Sequence, residues 1–84
     1  MSRKDKLIEQ LLSRPSDFTF DEVKTLLGFF GYSISRVGKT GGSRVAFSDD
    51  EGGYIRLHKP HPGNTMRQYQ VNDIITILFE RGLL

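Results

Sequence analysis

The sequence contains no cysteine. That excludes a disulfide framework and any thiolate-bound metal site, and the plain expectation is a cytoplasmic protein. No stretch approaches the ~18 consecutive apolar residues of a membrane span, so no membrane association is expected. The opening residues, Met1-Ser2-Arg3-Lys4-Asp5-Lys6, are charged and lack the apolar run of a signal peptide. Internal repeats and low-complexity segments are also missing. Length sets the last exclusion. Eighty-four residues make one domain. A chain of that size buries roughly 60–65% of the surface its unfolded form exposes, enough for one core but not for a deep cavity or cofactor cradle. Hence no cofactor is expected.

What is present begins with charge. The formal net charge is only +2, but its distribution is uneven. Five basic and five acidic residues cancel over positions 1–32, and Arg81 faces Asp73 and Glu80 at the other end. The middle holds Arg36, Lys39, Arg44, Arg56, Lys59 and Arg67 against Asp49, Asp50 and Glu51, together with both histidines, His58 and His61. A local positive excess of this kind can attract a polyanion although the whole molecule is nearly neutral. The bland alternative is a solvated basic face.

The hydrophobic pattern places the elements. Leu7, Ile8, Leu11 and Leu12 lie on one side of a short helix over ~3–13, stopped by Pro15. Thr19 and Glu22 form a capping-box pair, with Phe18 and Val23 at the hydrophobic-staple positions. Val23, Leu26, Leu27 and Phe30 then make an apolar stripe that ends at Gly31, which predicts a helix over 20–30. The period next shortens to two. Tyr32 to Val37 alternates as far as Ile34 and then becomes irregular, while Ser43 to Ser48 and Tyr54 to His58 alternate cleanly. Gly38-Lys39-Thr40-Gly41-Gly42 and Asp49-Asp50-Glu51-Gly52-Gly53 are the turns of an antiparallel meander. Lys59 to Asn64, with Pro60 and Pro62, must be loop. Val71, Ile74, Ile75, Leu78 and Phe79 predict a final helix over ~70–81.

The order is α-α-β-β-β-α, an α+β fold in which helices cover one face of the sheet. The predicted core comprises Val23, Leu26, Leu27, Phe30, Ile34, Val45, Phe47, Ile55, Leu57, Ile74, Ile75 and Leu78. The open face falls to Ser33, Ser35, Arg44, Ala46, Tyr54, Arg56 and His58. Tyr32 reads as core, and Tyr54 as an outward ring that can stack on an unpaired base. The six phenylalanines read mostly as core or staple residues. Phe29, off the main stripe, is the one expected to face the N-terminal helix.

From Phe18 onward the chain resembles the HicA family, the toxin half of a bacterial toxin–antitoxin pair. The pieces that carry the resemblance are Glu22-Val23, Leu26-Leu27, Gly31-Tyr32, Gly42-Ser43-Arg44-Val45, His58-Lys59-Pro60-His61-Pro62-Gly63, and Tyr69-Gln70-Val71 with Ile74, Leu78 and Gly82-Leu83. It covers about four fifths of the chain. It implies a double-stranded-RNA-binding-like α-β-β-β-α sandwich over residues 16–84, with residues 1–15 an added helix and linker. It further implies mRNA as substrate, cleavage without metal, and a HicB-type antitoxin as protein partner.

The chain departs from the family where the Gly-Ser pair is followed by the catalytic histidine of the second strand; here that position is Arg44. Metal-free RNA cleavage needs a base for the 2′-hydroxyl proton and an acid for the leaving 5′-oxygen, and imidazole suits both. Arginine stays protonated, but its planar fork grips a phosphate. Either His58 or His61 supplies the base, or the chain binds RNA or DNA without cutting it, or it is an interaction protein whose partner is an acidic antitoxin-like protein. His58 at the end of the third strand is the first candidate and His61, between two prolines, the second. Lys39, Ser43, Arg44, Arg56 and Lys59 are the candidate RNA contacts. A zinc site built on His58-x-x-His61 lacks the four ligands such a site requires. The Gly-Lys-Thr run at 38–40 is followed by a strand rather than the helix of a phosphate-binding loop.

Overall fold

The computed structural model describes residues 2–37, 44–60 and 63–84, with the side chains of 35–37 and 44 outside that description. Three helices, α1 (Arg3–Leu12), α2 (Phe20–Phe29) and α3 (Gln68–Glu80), accompany three strands, β1 (Ser33–Val37), β2 (Arg44–Ser48) and β3 (Tyr54–His58). The strands form one antiparallel sheet in the order β1-β2-β3. The fold is α+β, as the period changes along the chain predict. Among the described residues no helix is long and apolar enough to cross a membrane.

Local chemistry explains where the elements start and stop. At α2 the Thr19 amide donates to Glu22 Oε1 at 2.9 Å and the Glu22 amide donates to Thr19 Oγ1 at 3.2 Å. This capping box satisfies two donors that a helix start leaves unpaired. The helix ends as the Tyr32 amide reaches back to the Leu27 carbonyl at 2.9 Å, around Gly31 at φ +91°. A side chain is disfavoured at that φ, and this is why glycine stands there. Between β2 and β3, Asp49 Oδ1 accepts from the amides of Glu51 and Gly53, at 3.1 and 2.6 Å, and closes the turn with its own carboxylate.

The irregular stretch of β1 is a β-bulge. Ile34 stands opposite Phe47 and Arg36 opposite Ala46, so Ser35 is the inserted residue. Simple alternation puts Ser35 on the open face; its side chain lies outside the described residues, and the register gives the position opposite Ala46 to Arg36.

One core joins all the layers. Val23, Leu26 and Leu27 of α2, Val45 and Phe47 of β2, Ile55 and Leu57 of β3, and Val71, Ile74, Ile75 and Leu78 of α3 are all buried in it. The rings of Phe20 and Phe47 meet at 6.2 Å between centroids, within the range of favourable tilted pairs. Phe30 and Ile34, expected inside, are only partly buried. One expectation fails. Phe79 is 67% exposed, because an i+8 step rotates about 80° around the helix and carries it off the stripe begun by Val71. Phe29 is 45% exposed. Its neighbour Phe30 meets α1, with Lys4 Nζ 4.8 Å from the ring centroid.

The N-terminal helix belongs to this same core. Leu7 and Leu11 are buried among its residues. The α1–α2 connection is also tied to α3: Arg14 Nε donates to Asn72 Oδ1 at 2.9 Å, and Gln68 Nε2 donates to the Pro15 carbonyl at 2.8 Å. These bonds hold Arg14 in the left-handed region, at φ 51°, where a non-glycine residue is uncommon.

Leu11→Ala should therefore lower unfolding free energy by about 2–5 kcal/mol, the usual range for emptying a fully buried leucine site. Urea denaturation measures it. A loss near zero would mean that α1 adds nothing to the fold.

Candidate nucleic-acid interface

Strand β3 alternates strictly. Ile55 and Leu57 are buried, whereas Tyr54, Arg56 and His58 are exposed. Each exposed residue has a cross-strand partner on β2: Ser48 opposite Tyr54, Ala46 opposite Arg56, and Arg44 opposite His58. Through the bulged pairing of β1, one row across the sheet reads Arg36–Ala46–Arg56. Sequence reasoning placed Arg56 among the candidate contacts but counted Arg36 only in the local charge, because the bulge that puts it in this row depends on how β1 pairs with β2.

The candidate residues fall into two sets. His58, Arg56 and Lys59 are exposed and adjacent at the end of β3. Arg44 stands in register with His58. Lys39, Ser43 and His61 lie outside the described residues, and so does the Gly-rich turn at 38–42 that contains Lys39. Lys59 Nζ sits 5.9 Å from the centroid of the Phe20 ring, near the outer limit of a cation–π contact. Its ammonium is thus held close to the start of α2.

The chain from Asn64 to Met66 is anchored against the start of α2. Asn64 accepts from the Phe20 amide through its carbonyl at 2.7 Å, and the Met66 amide donates to the Phe18 carbonyl at 2.7 Å. Between these bonds lies an isolated antiparallel bridge, Thr19 with Thr65. Asn64 Nδ2 donates to Asp21 Oδ2 at 3.0 Å. Met66 fills the core beneath. Gly63, at φ +93°, makes the reversal that leads into this short pairing.

The outer edge of β3 is secured by α3. Gln70 is the only buried polar side chain among the described residues. Its Nε2 donates to the His58 carbonyl at 2.7 Å and its Oε1 accepts from the Arg67 amide at 2.9 Å. The same side chain therefore caps α3 and fixes the backbone of His58. At the other end of β3, Arg81 donates to the Tyr54 carbonyl and to Tyr32 Oη. Tyr32 is buried, as expected, and Tyr54 is exposed. Neither Gln70 nor Arg81 was singled out from sequence as a group that braces β3. Gln70 sits at the third position of its helix, where a side-chain acceptor for the cap is common, but nothing local announces its second bond.

Chemically, the strand end offers an imidazole whose backbone is held, a neighbouring guanidinium and an ammonium, all open to solvent. Such groups suit a phosphodiester chain. Among the described residues no group of three or more His, Cys, Asp or Glu side chains is gathered to hold a metal ion. Compared with protein-family models, with curated proteins and with solved structures, the chain matches none. The functional reading therefore stands on this geometry and on the sequence motifs.

Gln70→Glu separates the two duties of this residue. A carboxylate can still accept from Arg67 but cannot donate to the His58 carbonyl, which then faces an acceptor across a buried contact. The variant should lose about 1–3 kcal/mol of stability, and the His58 resonances should shift in NMR spectra of the folded protein. Unchanged stability and unchanged His58 signals would show that the tether carries no weight.

Proposed function

We propose that this chain is a HicA-like RNA-binding toxin of a type II toxin–antitoxin pair, cutting mRNA without a metal ion and held inactive by a HicB-type antitoxin. The observation that supports it best is the alternation of β3, which presents Tyr54, Arg56 and His58 to solvent with Arg44 in register beside His58. In this reading Arg56 and Lys59 hold backbone phosphates, and Arg44 grips the scissile one. His58 takes the proton from the 2′-hydroxyl. The 2′-oxygen attacks phosphorus, the bond to the 5′-oxygen breaks, and an acid, with His61 as candidate, protonates that oxygen. The products are a 2′,3′-cyclic phosphate and a free 5′-hydroxyl.

A base on a strand whose carbonyl is pinned by a buried side chain is placed more exactly than one on a loop, which favours His58 for the first step. The second reading is RNA binding without cleavage. Arg44 favours it, standing at the position of the family's catalytic histidine.

RNA binding should weaken as salt rises, and Arg56→Ala or Lys59→Ala should each reduce the salt slope by about 0.7 for single-stranded RNA. Salt-independent binding would remove the proposed contacts. In EDTA the purified protein should cleave mRNA to cyclic-phosphate ends, and His58→Ala should abolish this while leaving binding within a few-fold. Cleavage undiminished in a folded His58→Ala protein would overturn the assignment. Binding with no cleavage by wild type would leave the second reading.

A further inference from the structure

A groove of about 330 Å³ runs between β3 and α3. Its size is at the small end of ligand sites, which span ~300–1,000 Å³. One wall carries Arg56 and His58, and the other carries Tyr69, Asp73 and Glu80, with Leu57 and Ile77 supplying apolar surface between them. The helical wall is a second stripe of α3, at i, i+4, i+8 and i+11 from Tyr69, distinct from the stripe that fills the core. The two walls are opposite in charge, yet among the described residues no ion pair crosses the groove. Tyr69 is 59% exposed.

On the reading that the sheet binds RNA, we infer that this groove takes one unpaired nucleobase of the bound strand and selects guanine. Each wall does one part of the task. The cationic wall holds the phosphate, and the acidic wall repels it, so that a nucleotide enters base first. An exposed tyrosine ring offers a stacking surface that accepts any base. Selection comes from the carboxylate of Asp73. An ionised carboxylate only accepts hydrogen bonds, through two oxygens side by side. Guanine alone among the four RNA bases offers it two adjacent donors, N1–H and the N2 amine. Adenine and cytosine place an acceptor beside their amine, and uracil flanks its one N–H with two carbonyls. Asp73 lies one helical turn from Tyr69, on the same side of α3, so stacking and edge recognition fall on one base.

The test is fluorescence-anisotropy binding of uridine heptamers that carry guanosine, inosine or adenosine at the central position. Inosine keeps N1–H and lacks the amine. Wild type should rank guanosine first, inosine second and adenosine last, with about tenfold between the extremes, within the span of one bidentate base contact. Asp73→Asn should bring that ratio close to one without weakening the all-uridine heptamer. Tyr69→Ala should weaken the three substituted heptamers by a similar factor of about ten, and Tyr69→Phe should not. Both side chains are exposed, so these variants test binding rather than folding. Equal binding of the three heptamers, or a guanosine preference that survives Asp73→Asn, would overturn the groove assignment while the sheet still binds RNA. No binding of any heptamer at low salt would overturn both readings.

Discussion

The His58 carbonyl accepts a hydrogen bond from Gln70, and the Tyr54 carbonyl accepts one from Arg81. Both donors come from α3, and both acceptors lie on the outer edge of β3. An edge strand exposes backbone groups that would otherwise pair with water or with another chain. Here two side chains of a helix occupy that edge at its two ends. This contact fixes α3 against the edge of β3, beside the apolar core that the two elements share. Gln70 can make it because its other end is spent on the Arg67 amide, which leaves no unpaired polar atom in a buried site.

The basic face owes its form to a division of labour within β3. Ile55 and Leu57 hold the strand to the core, and this forces Arg56 and His58 outward. The strand continues into a chain segment anchored at Asn64, Thr65 and Met66 against the start of α2. Two long-range tethers thus bracket the end of β3, one through Gln70 and one through this short pairing. A nearly neutral protein can in this way hold a local cluster of positive charge in a defined geometry, which is what recognition of a phosphate backbone requires.

The same helix that braces β3 also shapes the groove. The core-facing stripe of α3 is apolar, and the adjoining stripe carries Tyr69, Asp73 and Glu80 opposite Arg56 and His58. Attraction of phosphate to one wall and of base donors to the other would orient a nucleotide across the groove rather than along it. The N-terminal helix takes no part in this surface. Its Leu7 and Leu11 complete the core, and its connection to α2 steadies α3 through Asn72 and Gln68.

Most of the architecture was legible in the sequence, because it rests on local signals. The Thr19–Glu22 cap, the apolar stripes and the period-two strands each report on neighbours a few residues apart, and the burial of Val45, Phe47, Ile55 and Leu57 follows from them. The exposure of Arg56 and His58 was legible for the same reason. What tertiary structure alone decided are the features that join distant segments. The bulge at Ser35 brings Arg36 into the row with Arg56 through pairing with β2. Phe79 is exposed because it lies too far round α3 from the stripe that packs into the core. Gln70 and Arg81 became the braces of β3 across 12 and 27 residues of chain, and hydrogen bonds of that span leave no periodic trace. The acidic wall of the groove belongs with them. Asp73 and Glu80 enter the sequence reading only as charges counted against Arg81, and only the approach of α3 to β3 sets them opposite Arg56 and His58.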